Sequence, residues 1–390
     1  MQNDPNYVCK SCLGPIRVDP VLVLNDVPCS AQGFGNTKAE ALEMSGNLVL
    51  YECTCCGLVQ LTSTPVAYHK NVIRSAAVSP LLLKQKNDQF TKFIDNFQLP
   101  EKKILEVGCG RGEFLSVLNQ LNVKAHGIEH SSSSIAHCEA LGLSVEQIYL
   151  SSKETRLRDG PFDAFIFLMF LEHLPAPRDV LIGLASNLKA GAPGIIEVPS
   201  LDFLLKKNLL TELIPDHLTY FTKSTLEILL STTGFDVLTI EEARDDYVLC
   251  ATVRKRLPLT LNEINPRQSR LASETRDFIV AHSDKPIAIW GAGHQALTSI
   301  SMFGIASQLS MIVDSSHAKQ GLFAPGSGLP IRPPSDLIEK KIETVIVMAG
   351  SYSEEIVQIL RKDFPSVRLI AVAKEDHLVF EKITLNSLVF

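Results

Sequence analysis

Three groups of residues in this chain have the types and spacing to do chemistry. The first is Glu106-Val107-Gly108-Cys109-Gly110-Arg111-Gly112, where an apolar run opening at Lys103 gives way to a helical pattern. Glycines at such a junction permit a tight bend and close backbone approach, and the helix N-terminus offers free N–H groups. The second is a pair of C-x2-C motifs, Cys9/Cys12 and Cys53/Cys56, with 40 residues between them. Each can place two thiolates on one turn, and together they complete a tetrahedral zinc site with no open position, which folds a domain and does not catalyse. Cys56 rather than Cys55 has the required interval from Cys53, and Gly57 suits the tight turn. The third is Asp216-His217, an acid beside an imidazole that titrates near neutral pH. Such a histidine can take a proton from a carbon next to a carbonyl or from a hydroxyl. The alternative is a turn capped by Asp216, with His217 packed beside Tyr220 and Phe221.

Alternating strand and helix patterns position the first group. Strands are predicted over 102–107, 124–129, 162–168 and 194–198, and helices over 112–121, 132–141, 179–187 and 222–232. Two closing strands follow at 236–240 and 247–253. The order implies a mostly parallel sheet covered on both faces. Glu106 is the unusual member of the glycine turn. A carboxylate there repels a pyrophosphate but suits the cationic amino-acid end of S-adenosylmethionine. Glu129 ends the second strand, 17 residues past Gly112, where an acid can accept both ribose hydroxyls of that cofactor. The strand over 162–168 runs into Met169, at the crevice where ligands bind in such sheets, and Met169 joins Glu106, Gly108, Gly110, Gly112 and Glu129 as a cofactor-binding candidate. His173, a few residues on, is expected only to cap a turn.

The bulk properties narrow the class. A length of 390 residues predicts two or three domains, and 45% hydrophobic with 21% charged residues is ordinary for a globular protein. The net charge of −6 argues against nucleic acid as a partner. No basic start leads into an apolar core at the N-terminus, and no apolar run reaches membrane-spanning length. Nine cysteines without a secretion signal fit a reducing, cytoplasmic setting in which metal binding is favoured over disulfides. The expected layout is a zinc-binding domain over 1–70, an S-adenosylmethionine-dependent methyltransferase domain over 71–255, a linker over 256–284 and a Rossmann-like domain over 285–390. No feature of the sequence specifies an oligomeric state.

Glu106–Gly112, Glu129 and Leu171-Glu172-His173-Leu174 resemble the signature of class I S-adenosylmethionine-dependent methyltransferases. Two cysteine pairs, a methyltransferase core and a Rossmann-like tail resemble the three-domain sugar C-methyltransferases. Those enzymes act on nucleotide-linked 4-keto-deoxysugars. The resemblance implies that His217 removes the C3 proton of a keto sugar, with Asp216 assisting in place of the family glutamate. Tyr220-Phe221 match its aromatic pair, and Tyr68, Ser75 and Ser79 match its substrate-contacting connector. One departure stands out: the family carries a tyrosine two residues before the acid, and this chain has Ile214. Methylation of oxygen or nitrogen on another small molecule is the alternative. A zinc-bearing recruiting module and a cofactor-binding sensor are further, non-catalytic classes.

The tail opens with Ile289-Trp290-Gly291-Ala292-Gly293-His294-Gln295-Ala296, a strand followed by G-x-G-x-x-A, and Asp314 ends the next strand. In isolation this fits a dinucleotide-binding unit. About 100 residues are too few for a full dinucleotide enzyme. The expectation is a degenerate nucleotide-type fold that helps close the substrate cleft, with bound NAD(P) the lesser alternative.

Overall fold

The computed structural model describes residues 8–68, 78–262 and 264–382, so Ser75 lies outside the described residues. Contacts divide the chain into two compact units, residues 1–258 and 259–390. The first unit runs β1 (Leu22–Pro28), α1 (Lys38–Glu43), β2 (Ser45–Glu52), β3 (Val59–Leu61), α2 (Pro80–Asn96), β4 (Lys103–Val107), α3 (Glu113–Asn119), β5 (Lys124–Glu129), α4 (Ser132–Ala140), β6 (Val145–Gln147) and β7 (Ala164–Leu168). It continues with α5 (Pro177–Ser186), β8 (Pro193–Pro199), α6 (Leu201–Lys207), β9 (Thr219–Tyr220), α7 (Lys223–Thr232), β10 (Phe235–Ala243) and β11 (Val248–Lys255).

Seven strands form the main sheet in the order β10-β11-β8-β7-β4-β5-β6. Pairing is parallel from β8 to β6 and antiparallel from β8 through β11 to β10. The chain winds outward from β4 to β6, then returns to the other side of β4 at β7. The crevice for a ligand lies where this order reverses, outside the carboxyl ends of β4 and β7. Strand β7 is buried throughout. Phe165 and Phe167 enter one core with Leu181 and Leu184, while Ala164, Ile166 and Leu168 enter the other with Leu115 and Phe90. A strand with both faces covered must be apolar at every position, which is why its sequence shows a continuous run rather than alternation.

Ser79 caps α2, its hydroxyl accepting from the Leu82 N–H at 3.1 Å, and it is exposed. That bond gives Ser79 a role in starting the helix. Farther along α2, Lys86 is buried against Glu197 of β8, with Nζ 2.5 Å from Oε2. Gln89 donates to the other carboxylate oxygen at 2.7 Å. Removing one partner of such a pair leaves the other charge buried and uncompensated. Lys86→Met should therefore lower stability by about 3 kcal/mol or more, read as a lower midpoint in chemical denaturation.

A second sheet, β1-β2-β3-β9, gathers the N-terminal segment. Its last strand comes from the excursion between β8 and α7: Val59 pairs with Tyr220 and Gln60 with Thr219. The cysteine-bearing segment thus shares one compact unit with the methyltransferase-like core. The segment over 256–284 holds α8 (Ile264–Ala281), whose Leu271, Phe278 and Ile279 lie in the core of the second unit.

That second unit continues with β12 (Ile287–Trp290), α9 (His294–Phe303), β13 (Met311–Val313), β14 (Ile331–Arg332), α10 (Asp336–Glu339), β15 (Thr344–Val347), α11 (Ser353–Asp363), β16 (Leu369–Ala373) and β17 (Leu378–Lys382). Its six strands order as β14-β13-β12-β15-β16-β17, parallel except for the antiparallel edge β17. No described helix is long and apolar enough to cross a membrane.

Candidate active site

The turn after β4 sets the cofactor side. Gly108, Gly110 and Gly112 all take positive φ, at +69°, +55° and +84°. At Gly112 the need is steric as well: a Cβ would meet Leu143 Cδ1 at 2.5 Å and Cys138 Sγ at 3.0 Å. Only glycine satisfies both demands. Glu129 reaches this turn from the end of β5. Its Oε2 accepts from the Gly110 N–H at 3.0 Å, and its Oε1 accepts from His130 and Ser131 at 2.7 and 2.9 Å. Glu106 is buried at the end of β4. Met169, at φ +51°, turns the chain out of β7, and its N–H donates to the Glu197 carbonyl at 2.8 Å. Gly108, Glu129, Tyr149 and Phe170 line a small cleft at this point. The cofactor candidates therefore gather around the carboxyl ends of three adjacent strands.

The acceptor side is built by stitching the excursion to two other elements. Leu218 carries both stitches: its N–H donates to the Glu172 carbonyl at 2.8 Å, and its carbonyl accepts from the Leu61 N–H at 3.0 Å. His173 Nδ1 lies 2.9 Å from the Asp216 carbonyl and must donate to it. The rings of His173 and His217 meet edge to face, 4.7 Å between centroids. His173 is thus more than the turn cap expected of it: it props the imidazole of His217 and ties down the peptide before it. No local signal could reveal this, since the two histidines lie 44 positions apart.

Asp216 behaves differently from the assisting acid expected beside His217. Its Oδ1 accepts from the Tyr68 hydroxyl at 2.6 Å and its Oδ2 accepts from the Ala31 N–H at 2.8 Å. The carboxylate therefore serves Tyr68 and the loop after β1. Tyr68 is thereby tied to the residue before His217. Tyr220, expected at the substrate, is buried, and its hydroxyl accepts from Ile214 N–H and donates to Ile214 C=O, both at 2.9 Å. That hydroxyl closes the turn holding Asp216-His217 and is spent on it. Ile214 itself lines an apolar cavity of about 780 Å³ with Val27, Phe34, Met44 and Leu213.

Electrostatics follow from burial. His217 is pulled down to about 3, first by desolvation and then by the neighbouring His173, so its ring is neutral with a free lone pair. Burial also lowers His173. Glu172, buried beside His173, is pushed up to about 8 by desolvation. A neutral imidazole can accept a proton from a substrate carbon or hydroxyl, and so low a pKa makes it a weak base.

The four cysteine sulfurs of Cys9, Cys12, Cys53 and Cys56 lie within 4.8 Å of one another. Sγ of Cys9 and Cys56, and of Cys12 and Cys53, are 3.5 Å apart. Backbone N–H groups of Ser11 and Cys12 point at Cys9 Sγ, and those of Cys55 and Cys56 at Cys53 Sγ. Cys55 itself is exposed. This knuckle is joined to the site: Lys10 Nζ donates to the Pro175 carbonyl at 3.2 Å, and Arg178 donates to the Ser11 carbonyl at 3.3 Å.

In the second unit, a cavity of about 1070 Å³ opens at the turn after β12, lined by Gly291, His294, Asp314, Lys319 and Tyr352 among others. Asp314 accepts from Ala292 N–H at 2.7 Å, Ser316 N–H at 2.8 Å and Lys319 Nζ at 3.1 Å.

Two families match this chain: one described as a methyltransferase domain over residues 82–240, the other as a C-methyltransferase C-terminal domain over 261–365. The C-methyltransferase NovU of Streptomyces niveus is 22% identical over 284 residues, covering 65% of this chain and 68% of NovU. A ubiquinone biosynthesis O-methyltransferase of Nitrosococcus oceani is 36% identical over 98 residues, and the chain spans only 42% of that relative's length. A solved methyltransferase from Methanosarcina mazei is similar at 20% identity and a TM-score of 0.36, covering 43% of this chain and 98% of the other. The glycine turn, the seven-stranded sheet and the two family matches converge: the chain belongs to the class I S-adenosylmethionine-dependent methyltransferases.

Proposed function

We propose that this methyltransferase transfers its methyl group to a carbon of a nucleotide-linked 4-keto-deoxysugar, with His217 as the base. The observation that carries the reading is the neutral, propped His217, set in a turn that Tyr68, Asp216 and His173 hold from three sides. S-adenosylmethionine, held by Glu106, Gly108, Gly110, Gly112, Glu129 and Met169, supplies an electrophilic methyl group. His217 accepts the proton from the carbon next to the ketone, and the C–H electron pair enters the enolate. That carbon would then take the methyl group as the cofactor's S–CH3 bond breaks, the bonding pair staying on sulfur as the neutral thioether. NovU supports the C-methylation reading by its name, and the match of residues 261–365 to a C-methyltransferase C-terminal domain supports it independently. The apolar wall at Ile214 suits a deoxygenated sugar better than a hydroxyl-rich one. A structural zinc ion on Cys9, Cys12, Cys53 and Cys56 is part of the same proposal, and the converging N–H groups fit thiolate ligands.

The reading is tested with isotopically labelled methyl donor and a panel of nucleotide-linked 4-keto sugars. Label on a sugar carbon is expected. Label on oxygen or nitrogen would replace this reading with the O- or N-methyltransferase one. Tyr68→Phe should reduce turnover by about tenfold to a hundredfold, because it removes a hydrogen bond to a charged carboxylate that braces the base. Steady-state kinetics at fixed cofactor would show it, and unchanged turnover would detach Tyr68 from the site.

A further inference from the structure

Proton abstraction by His217 leaves one neighbour unexplained. Glu172 is buried at 2% exposure, and its Oε2 has no hydrogen-bond partner among the described residues. A buried carboxyl oxygen in that state is costly and calls for a ligand. Its other oxygen, Oε1, lies 3.9 Å from His173 Nε2. His173 donates through Nδ1 to the Asp216 carbonyl, so Nε2 carries the lone pair. One ligand atom each from Glu172, His173 and His217 falls within 4.8 Å of the others. Among the described residues, the four-cysteine knuckle is the only other such group.

We infer that Glu172, His173 and His217 form a second metal site, for a borderline divalent cation of the zinc or cobalt kind. Two imidazole nitrogens and a carboxylate oxygen select that class over the hard, all-oxygen cations. The Asp216 carbonyl on Nδ1 is the outer-shell acceptor that orients a ligating histidine. Three protein ligands leave a fourth position open, unlike the closed cysteine site. His217 is half-buried and offers the way in, whereas Glu172 and His173 lie behind it.

The consequence rests on the proposed role of His217. A cation on its lone pair excludes the proton, so metal binding here and methyl transfer are mutually exclusive. The ion is a reversible brake on the base, chemically separate from the cysteine-bound zinc that holds the fold.

The test titrates the full-length, zinc-containing protein with Co²⁺ and follows heat and visible absorption. Binding of one equivalent is expected, with d–d bands but no thiolate charge-transfer band, and turnover falling in step with occupancy. Glu172→Gln and His173→Asn should each weaken cobalt binding by about tenfold or more, since removing a ligand costs at least what removing its outer-shell support does. Retained S-adenosylmethionine binding shows that these variants are folded. No cobalt uptake, thiolate bands alone, or unchanged affinity in both variants would overturn the site. His217→Asn separates the two ideas. Full turnover in that variant sinks the base alone, whereas unaltered cobalt affinity sinks the metal site alone.

Discussion

His217→Asn is expected to cut methyl transfer by about 10³-fold, within the range that a positioned general base supplies, while S-adenosylmethionine binds as before. The separation follows from geometry. The cofactor candidates sit on the turns after β4, β5 and β7, whereas His217 comes from the excursion after β8. Asparagine fills much of the same space and keeps the packing on His173, so the fold should not register the change. Single-turnover rates with labelled cofactor, beside calorimetric cofactor affinity, read the two effects apart. If transfer proceeds at the parental rate, the proton is taken elsewhere and the mechanism falls with it.

The second large effect is expected from the cysteine knuckle. Cys12→Ser combined with Cys56→Ser removes one thiolate from each pair. Metal analysis should fall from one zinc per chain to none. Structural zinc contributes about 10–16 kcal/mol in small zinc-folded peptides, comparable to the whole stability of many domains, so the N-terminal segment should lose its structure. The loss is transmitted along named bonds. The Gln60 side chain, fully buried, accepts from Lys10 N–H at 2.8 Å and donates to the Val8 carbonyl at 3.1 Å. Gln60 lies in β3, which pairs with β9 two residues beyond His217. Displacing a base by about 1 Å can cost 10²-fold in rate, and a loss of at least that order is expected here. Full turnover in zinc-free protein would show that the knuckle does not position His217.

The parts of this design that could be read from the chain are those specified by near neighbours. The glycine turn is one, because positive φ and steric room are demands placed on single residues such as Gly112. The cysteine pairs are another, since C-x2-C sets two sulfurs on one turn. The strand and helix alternation was legible because covered strands such as Ala164–Leu168 must be apolar throughout. By contrast, a two-residue strand such as Thr219–Tyr220 has no periodicity to detect, and its partners Gln60 and Val59 lie 159 and 161 positions away. For Ser79 and Tyr220, residue type alone does not name the nearby backbone groups that their hydroxyls bond.

The sequence by itself determined the methyl donor's turn, the two α/β units and the four thiols, because each is written in local spacing or in the burial of a continuous segment. Tertiary structure alone decided what surrounds His217. It sent the Asp216 carboxylate to Tyr68 and Ala31, stood His173 against the imidazole and enclosed Glu172 beside them. The physical reason is that a side chain's partner is chosen by chain segments brought together on folding. Adjacency in sequence made Asp216 look like the helper of His217, but the turn closed by His217 N–H on the Ile214 carbonyl at 3.2 Å gives the two side chains different neighbours.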